Sequence, residues 1–326
     1  MIPYVDVNKE SFIQFHRHLA LSLIQVFWTY EVVKPEFNLS SKWISPTDRN
    51  LNYIVTIVID LCSGVEVWSR TEDNVRLISQ IRKQWEMMKI ILATNQSGAK
   101  YQSFEKFQDD NVIEVLCDKW NAPVLKTVLR SIETPFTLIL HEPLAVTPDL
   151  NITRLLNTIE EVKVVGVIGF AERGKDGGWD YTCSQLKLQG SHFNIINGYE
   201  YSKEACFFCD VTSNSFLIDT HLFKEVLPDF NLSFEMRKLD WFMRLKKLNV
   251  WTMTCPDVMI HTSNNVIDRK EFLINRKDFI KSYNDKECYP EYEEHKIKFK
   301  ELAQKYNLTS VTIQNKYKIK FIFDDY

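Results

Sequence analysis

The spacing of hydrophobic positions changes along this chain, and each change marks an element. Residues 53–62 carry the run Ile54-Val55-Thr56-Ile57-Val58-Ile59, which is β-branched throughout and leaves no face for water. Such a run predicts a strand covered on both sides, as in a parallel sheet. From Thr71 the period lengthens, with Ile78, Ile81 and Trp85 on one face. Thr71 suits a helix cap, and Glu72 and Asp73 suit the positive end of the helix dipole. Residues 89–94 return to strand, and residues 112–117 give a third apolar segment. Asn121 and Pro123 then open a second helix, whose inner side is Val124, Leu125, Val128, Leu129 and Ile132. Residues 136–140 and 162–170 are the fourth and fifth strands. This alternation predicts an α/β domain with a mostly parallel central sheet, right-handed crossovers, and a ligand site at the carboxyl ends of the strands.

The second half has a different rhythm. Leu186-Lys187-Leu188 and Phe193-Asn194-Ile195 alternate around residues 189–192, which predicts a hairpin beside the central sheet, shaping the acceptor side of a site. Residues 216–218 form another core strand, 239–248 a helix with Trp241, Leu245 and Leu248 inward, and 250–254 a last core strand. Residues 292–306 carry His295, Phe299, Leu302 and Tyr306 on one side of an amphipathic helix, and 311–314 with 317–323 predict a closing hairpin.

Composition narrows the function. With 326 residues, 45% hydrophobic and 25% charged, the chain can bury one large core, with residues 1–50 as a helical extension and 266–326 packed on the same domain. A net charge of -3 offers no basic field for nucleic acid. The seven cysteines include Cys206-Phe207-Phe208-Cys209, a pair without the second pair that structural zinc requires. In an oxidising compartment Cys183 can bridge to Cys206 or Cys209; in the cytoplasm all seven would be free thiols. Sequons at Asn38, Asn95, Asn151, Asn231 and Asn307 favour the secretory pathway, with the Golgi lumen as the expectation. Residues 19–30 form an apolar run broken by Gln25 and Glu31, shorter than the ~20 residues of a membrane helix. It reads as a buried or interfacial helix, with membrane association as the alternative.

Four segments carry a resemblance. Residues 118–141 resemble the helix-strand unit that precedes Asp-x-Asp in family-2-like glycosyltransferases of the GT-A fold. Asp210-Val211-Thr212-Ser213-Asn214-Ser215-Phe216-Leu217-Ile218-Asp219-Thr220 is similar to a segment of β1,4-N-acetylgalactosaminyltransferases of the ganglioside-synthase type. Leu239-Asp240-Trp241-Phe242-Met243-Arg244-Leu245 resembles the acidic helix start that supplies the base, and Cys255-Pro256-Asp257-Val258-Met259-Ile260-His261 the strand end that carries a histidine. The order spans residues 53–265, so that 51–265 is the GT-A-like domain. The N-terminal, transferase-like domain of fukutin-related protein is similar over the same region and through the tail, and it likewise lacks Asp-x-Asp.

The resemblance implies a nucleotide-sugar donor, a glycan or glycolipid acceptor, and Mn²⁺ or Mg²⁺ held by the last aspartate of Asp-x-Asp. Here the triplet is His141-Glu142-Pro143, and proline has no ligand to give. His141, Glu142 and His261 make a softer N/O set for a transition metal; His141 and Glu142 are equally at home as plain strand-end polar residues. Asp240 is the expected base for the acceptor hydroxyl, or else the solvated first turn of a helix. Asp60 stands where base and ribose are met, or is a turn residue before Ser63-Gly64. Asp210 and Asn214 would position a sugar, or hold a strand edge. Trp120 can stack on a sugar ring but more commonly packs in a core, and residues 174–178, rich in glycine, have no strand-to-helix context for a phosphate cradle. The alternative to an enzyme is a non-catalytic transferase-like module that binds glycan or a partner protein.

Overall fold

The structure, a computed structural model, describes residues 50–62, 71–94, 111–117, 119–174, 179–199, 201–203, 205–262 and 299–315. Expectations for residues 1–49, Asn38, Asn95, Asp118, residues 175–178, Cys288, His295 and residues 317–323 lie outside them. The chain order begins β1 (Val55–Leu61), α1 (Thr71–Gln84), β2 (Lys89–Thr94), β3 (Val112–Leu116), α2 (Ala122–Arg130), β4 (Phe136–His141), β5 (Pro143–Ala145), α3 (Ile152–Glu161) and β6 (Val165–Arg173). It continues through β7 (Trp179–Asp180), β8 (Ser184–Gln189), β9 (His192–Asn197), β10 (Ser202–Lys203), β11 (Cys206–Cys209), β12 (Phe216–Asp219), α4 (Thr220–Glu225), α5 (Phe234–Lys247), β13 (Trp251–Thr262), α6 (Lys300–Tyr306) and β14 (Ser310–Asn315).

The fold is the expected mixed α/β layout, with a central, largely parallel sheet flanked by helices. Its main strand order is β10-β11-β13-β6-β12-β4-β1-β2-β3. β1 pairs in parallel with β2 and with β4, so both predicted central strands are interior. β12 runs antiparallel between β4 and β6, and thereby joins the two parallel halves.

The all-apolar run of β1 is explained by what covers it. Val55, Ile57, Ile59 and Leu61 pack into a cluster with Leu77, Ile78 and Ile81 of α1 and Ile152, Leu155, Leu156 and Ile159 of α3. Val58, on the other face, joins Val124, Leu125, Val128 and Leu129 of α2 and Trp241, Phe242 and Leu245 of α5. Each fully buried aliphatic side chain contributes about 1.5–3 kcal/mol relative to exposure. Polar positions on the α2/α5 face are bonded to one another: Thr56 to Thr134 at 2.8 Å and Thr137 to Thr220 at 2.7 Å. This face is the one that reaches the candidate site.

β6 carries a glycine where the sheet admits nothing larger. A Cβ on Gly169 would lie 1.7 Å from Thr212 Oγ1, and Thr212 is itself held by Thr254 at 2.7 Å.

The predicted hairpin is β8 and β9, antiparallel and set in a separate sheet. β14 completes that sheet by pairing in parallel with β9, a long-range pairing that the local pattern of residues 311–314 does not reveal. The helix expected at residues 239–248 starts five residues earlier, at Phe234. Its start is tied to α6, because Glu301 accepts from the Ser233 backbone N–H at 2.7 Å and from its hydroxyl at 2.8 Å.

Six cysteines form three disulfides, Cys62–Cys117, Cys183–Cys209 and Cys206–Cys255. One of the two expected partners of Cys183 is therefore its partner, and both thiols of the Cys206/Cys209 pair are consumed. β11 is thus fastened on one side to the start of β8 and on the other to β13. The first bridge joins the chain just past β1 to the chain just past β3. Non-reducing peptide mapping should recover these three linked pairs. Replacing Cys62 and Cys117 by alanine together should cost about 4 kcal/mol, the loop-closure value for a separation of 55 residues, read as a loss in unfolding free energy.

Candidate functional site

Asp60 and His141 meet because of strand register. They are opposed residues on the parallel pair β1 and β4, and the two-residue period puts both on the α2/α5 face at the carboxyl ends. The His141 imidazole Nδ1 lies 3.0 Å from Asp60 Oδ2, while Asp60 Oδ1 accepts from the backbone N–H of Cys62 at 3.0 Å. The His141 backbone N–H donates to the Ser215 hydroxyl at 3.0 Å, and its ring stacks on Phe234 with centroids 5.2 Å apart. The ring is therefore held by Asp60 of β1 and Phe234 of α5, and its backbone by Ser215.

The next residue turns the chain. Glu142 has a φ of 46°, in the left-handed region that a residue with a Cβ enters at a cost, and its N–H is held by the Asp60 carbonyl at 2.9 Å. The turn leads Pro143 into β5, opposite Thr262 of β13. Glu142 Oε1 is 4.0 Å from His141 Nε2.

A second carboxylate joins from β6. Burial raises the pKa of Glu172, opposed by the charges of Lys238 and His141 and by the backbone N–H groups of Ser215 and Asn214. For His141, burial works against charge, but the hydrogen bond and charge of Asp60, with Glu142 and Glu172, outweigh it and raise its pKa above 6.5. Lys238 of α5 is shifted down to about 8 by burial, despite the charges of Glu172 and Glu235. Asp60, His141, Ser213, Asn214, Arg237 and Lys238 line a cavity of ≈ 90 Å³. Its apolar wall includes Trp120, Phe216, Phe230, Phe234, Trp241 and Phe242, so Trp120 and Asn214 border the site.

Asp240 does not join them. Its carboxylate is fully buried and meets Arg244 Nε at 2.9 Å, Lys305 Nζ at 2.9 Å and the Tyr306 hydroxyl at 2.7 Å. Two residues along a helix are about 200° apart, so Lys238 faces the cavity while Asp240 faces α6. The geometry makes Asp240 an anchor between helices and leaves it no route to an acceptor hydroxyl. Asp210 is also structural in its contacts: it accepts from the Leu186 backbone N–H and from Lys246, each at 2.6 Å, and so ties the β8–β9 sheet to α5. His261 is opposite Arg173 of β6 and Ala145 of β5. Burial and the charge of Arg173 lower its pKa, against Asp149, and it does not line the cavity.

Among the described residues, no donor set for a divalent cation gathers at this cavity. Pro143 supplies no ligand, Asp60 engages Nδ1 of His141, and among the described residues the donor atoms of His141, Glu142 and His261 do not gather within 4.8 Å of one another. The group that does is Cys206, Cys255 and Asp257, whose two sulfurs are joined to each other.

Glu172 and Lys238 were not legible from sequence as site residues. Glu172 had one signal, an acid at the end of an apolar strand, and Lys238 sits in the segment where the neighbouring acid drew attention.

No family model matches the chain, and no curated protein matches it, so the resemblances to glycosyltransferase families rest on the motifs quoted above. Among solved structures, S. aureus TarS residues 1–349 is similar over 64% of this chain and 60% of that one, at 13% identity and a TM-score of 0.42. CMP:2-keto-3-deoxy-manno-octonic acid synthetase complexed with CTP is similar over 71% of this chain and 99% of that one, at 10% identity and a TM-score of 0.39. The chain thus spans about three fifths of the TarS fragment.

Asp240→Asn should lower stability by about 3 kcal/mol, because three partners lose a buried carboxylate, and should leave ligand binding at the cavity unchanged. Chemical denaturation with a parallel binding titration checks both halves.

Proposed function

We propose that the chain is a glycosyltransferase-like protein that holds a nucleotide-sugar at the carboxyl ends of β1, β4 and β6, and transfers the sugar to a glycan or glycolipid acceptor. The observation that carries this reading is the convergence of Asp60, His141, Asn214, Arg237 and Lys238 on one cavity at the rim where open α/β sheets bind ligands. The apolar wall suits a ring, and the cations suit the leaving diphosphate. The acceptor proton would pass to a rim carboxylate; Glu172, with its raised pKa, suits that part better than Asp240. At ≈ 90 Å³ the cavity is smaller than the roughly 300–1,000 Å³ of whole-ligand pockets, so the described residues enclose one portion of such a donor.

A second reading has its own support. Asp240 is sequestered and Pro143 is in a strand, which favours a module that binds a nucleotide-sugar, a glycan or a partner without turnover.

The compartment we propose is the lumen of the secretory pathway, the Golgi included. Three disulfides support it, and so do the exposed sequon residues Asn151, Asn231 and Asn307. No helix of the described residues is long and apolar enough to cross a membrane.

Thermal denaturation against a panel of nucleotide-sugars tests the reading. At least one should raise Tm by several degrees, since a ligand at 100 times its Kd adds about 2.7 kcal/mol, and His141→Ala should abolish the rise. No rise with any member contradicts it. Nucleotide release with labelled acceptors then separates transfer from binding alone.

A further inference from the structure

Two adjacent cations of α5, Arg237 and Lys238, stand at the cavity, and one of them has donor capacity to spare. Arg237 donates from NH2 to the Leu232 carbonyl at 3.1 Å and stacks over Phe230 at 4.4 Å, yet its Nε is buried without a hydrogen-bond partner. A buried donor left unmade costs about 1–3 kcal/mol, so a folded protein that keeps one invites a ligand to complete it. Arg237 lines the cavity and is next to Lys238, which lines it too. His141, whose second ring nitrogen is not the one bonded to Asp60, and Asn214 line the same cavity.

We infer that Arg237 and Lys238 bind the diphosphate of a nucleoside-diphosphate ligand directly, in the place that a divalent cation would otherwise take. The inference rests on the donor reading above and deepens it. An arginine offers a fork of donors matched to phosphate oxygens, and a lysine a compact charge. The cavity has room for a phosphate group, and among the described residues no three metal-ligating side chains gather at it. Of the acids nearby, Asp60 is bonded to His141, and Glu172 divides its interactions between Lys238, His141 and the backbone N–H groups of Ser215 and Asn214.

The pH dependence follows from Lys238. The charges that act on it are Glu172 from β6 and Glu235 from its own helix, and Arg237, His141, Glu142 and Asp60 surround the same cavity or its edge. Its pKa of about 8 is lowered, so the charged form is complete below that pH and is lost as pH rises through it. Anion affinity should fall on the alkaline side of about 8.

Isothermal titration with UDP, GDP, CDP and ADP, each in EDTA and in Mn²⁺, tests this. We expect the same Kd in both buffers for whichever nucleotide binds. Lys238→Gln and Arg237→Gln should each weaken it about tenfold or more, and Arg130→Gln, an exposed cation on α2, should leave it unchanged. Lys238→Arg keeps the charge at every working pH, so it should bind at pH 7 and hold that affinity to pH 9.5, where the unsubstituted protein weakens; a lysine that merely supports the fold would show no such shift. Binding that requires Mn²⁺, or that survives both glutamine substitutions, overturns the inference and leaves the donor reading standing. Absence of binding by all four nucleotides in both buffers overturns the two together.

Discussion

The candidate site depends on one register. β1 and β4 pair so that Asp60 opposes His141, and their side chains meet at 3.0 Å. Slipping β4 by one residue against β1 would turn His141 to the α1/α3 face, away from Asp60, and would send the apolar β4 side chains that now pack there to the opposite face. Hydrophobic burial on two faces therefore fixes the position of a polar pair. The pair in turn orients an imidazole toward Glu142, the Phe234 ring stacks on it from α5, and the Ser215 hydroxyl, just before β12, accepts from the His141 backbone N–H.

α5 divides its work by angle. Its inner face packs Trp241, Phe242 and Leu245 under the sheet. The same side turns Arg237 and Lys238, beside Trp241 and Phe242, to the cavity, while Asp240 points away from it into a buried network with α6. The same helix thus joins core, tail and site. Asp240, in the body of α5, is an interhelical anchor because a lysine, an arginine and a tyrosine surround it, and Asp210 ties the small sheet to Lys246.

Much of the fold was legible in the sequence because local period reports local burial. The continuous run of β1, the Asn121 cap of α2 and the alternation of β8 and β9 each follow from nearby residues. What was not legible depends on distant partners. The parallel pairing of β14 with β9, the Cys62–Cys117 and Cys206–Cys255 bridges and the reversed β12 arise from chain paths that a local pattern does not encode. In the site, Asp60, His141 and Asn214 were legible as strand-end or loop polar residues on one rim. Lys238 was hidden because the direction of a residue around a helix requires the phase of the helix, and that phase was set by a start at Phe234 rather than Leu239. Glu172 was hidden because its role is conferred by groups from β12 and α5.

On the reading proposed above, a diphosphate ligand binds in this strand-end cavity. Hydrogen-deuterium exchange, measured with and without the nucleoside diphosphate that titrates, locates the contact without presupposing a residue. Exchange should slow in peptides covering residues 211–216 and 234–242, with the β8–β9 sheet unchanged. Slowed exchange confined to the β8–β9 sheet or to α3, with 234–242 unaltered, would contradict it.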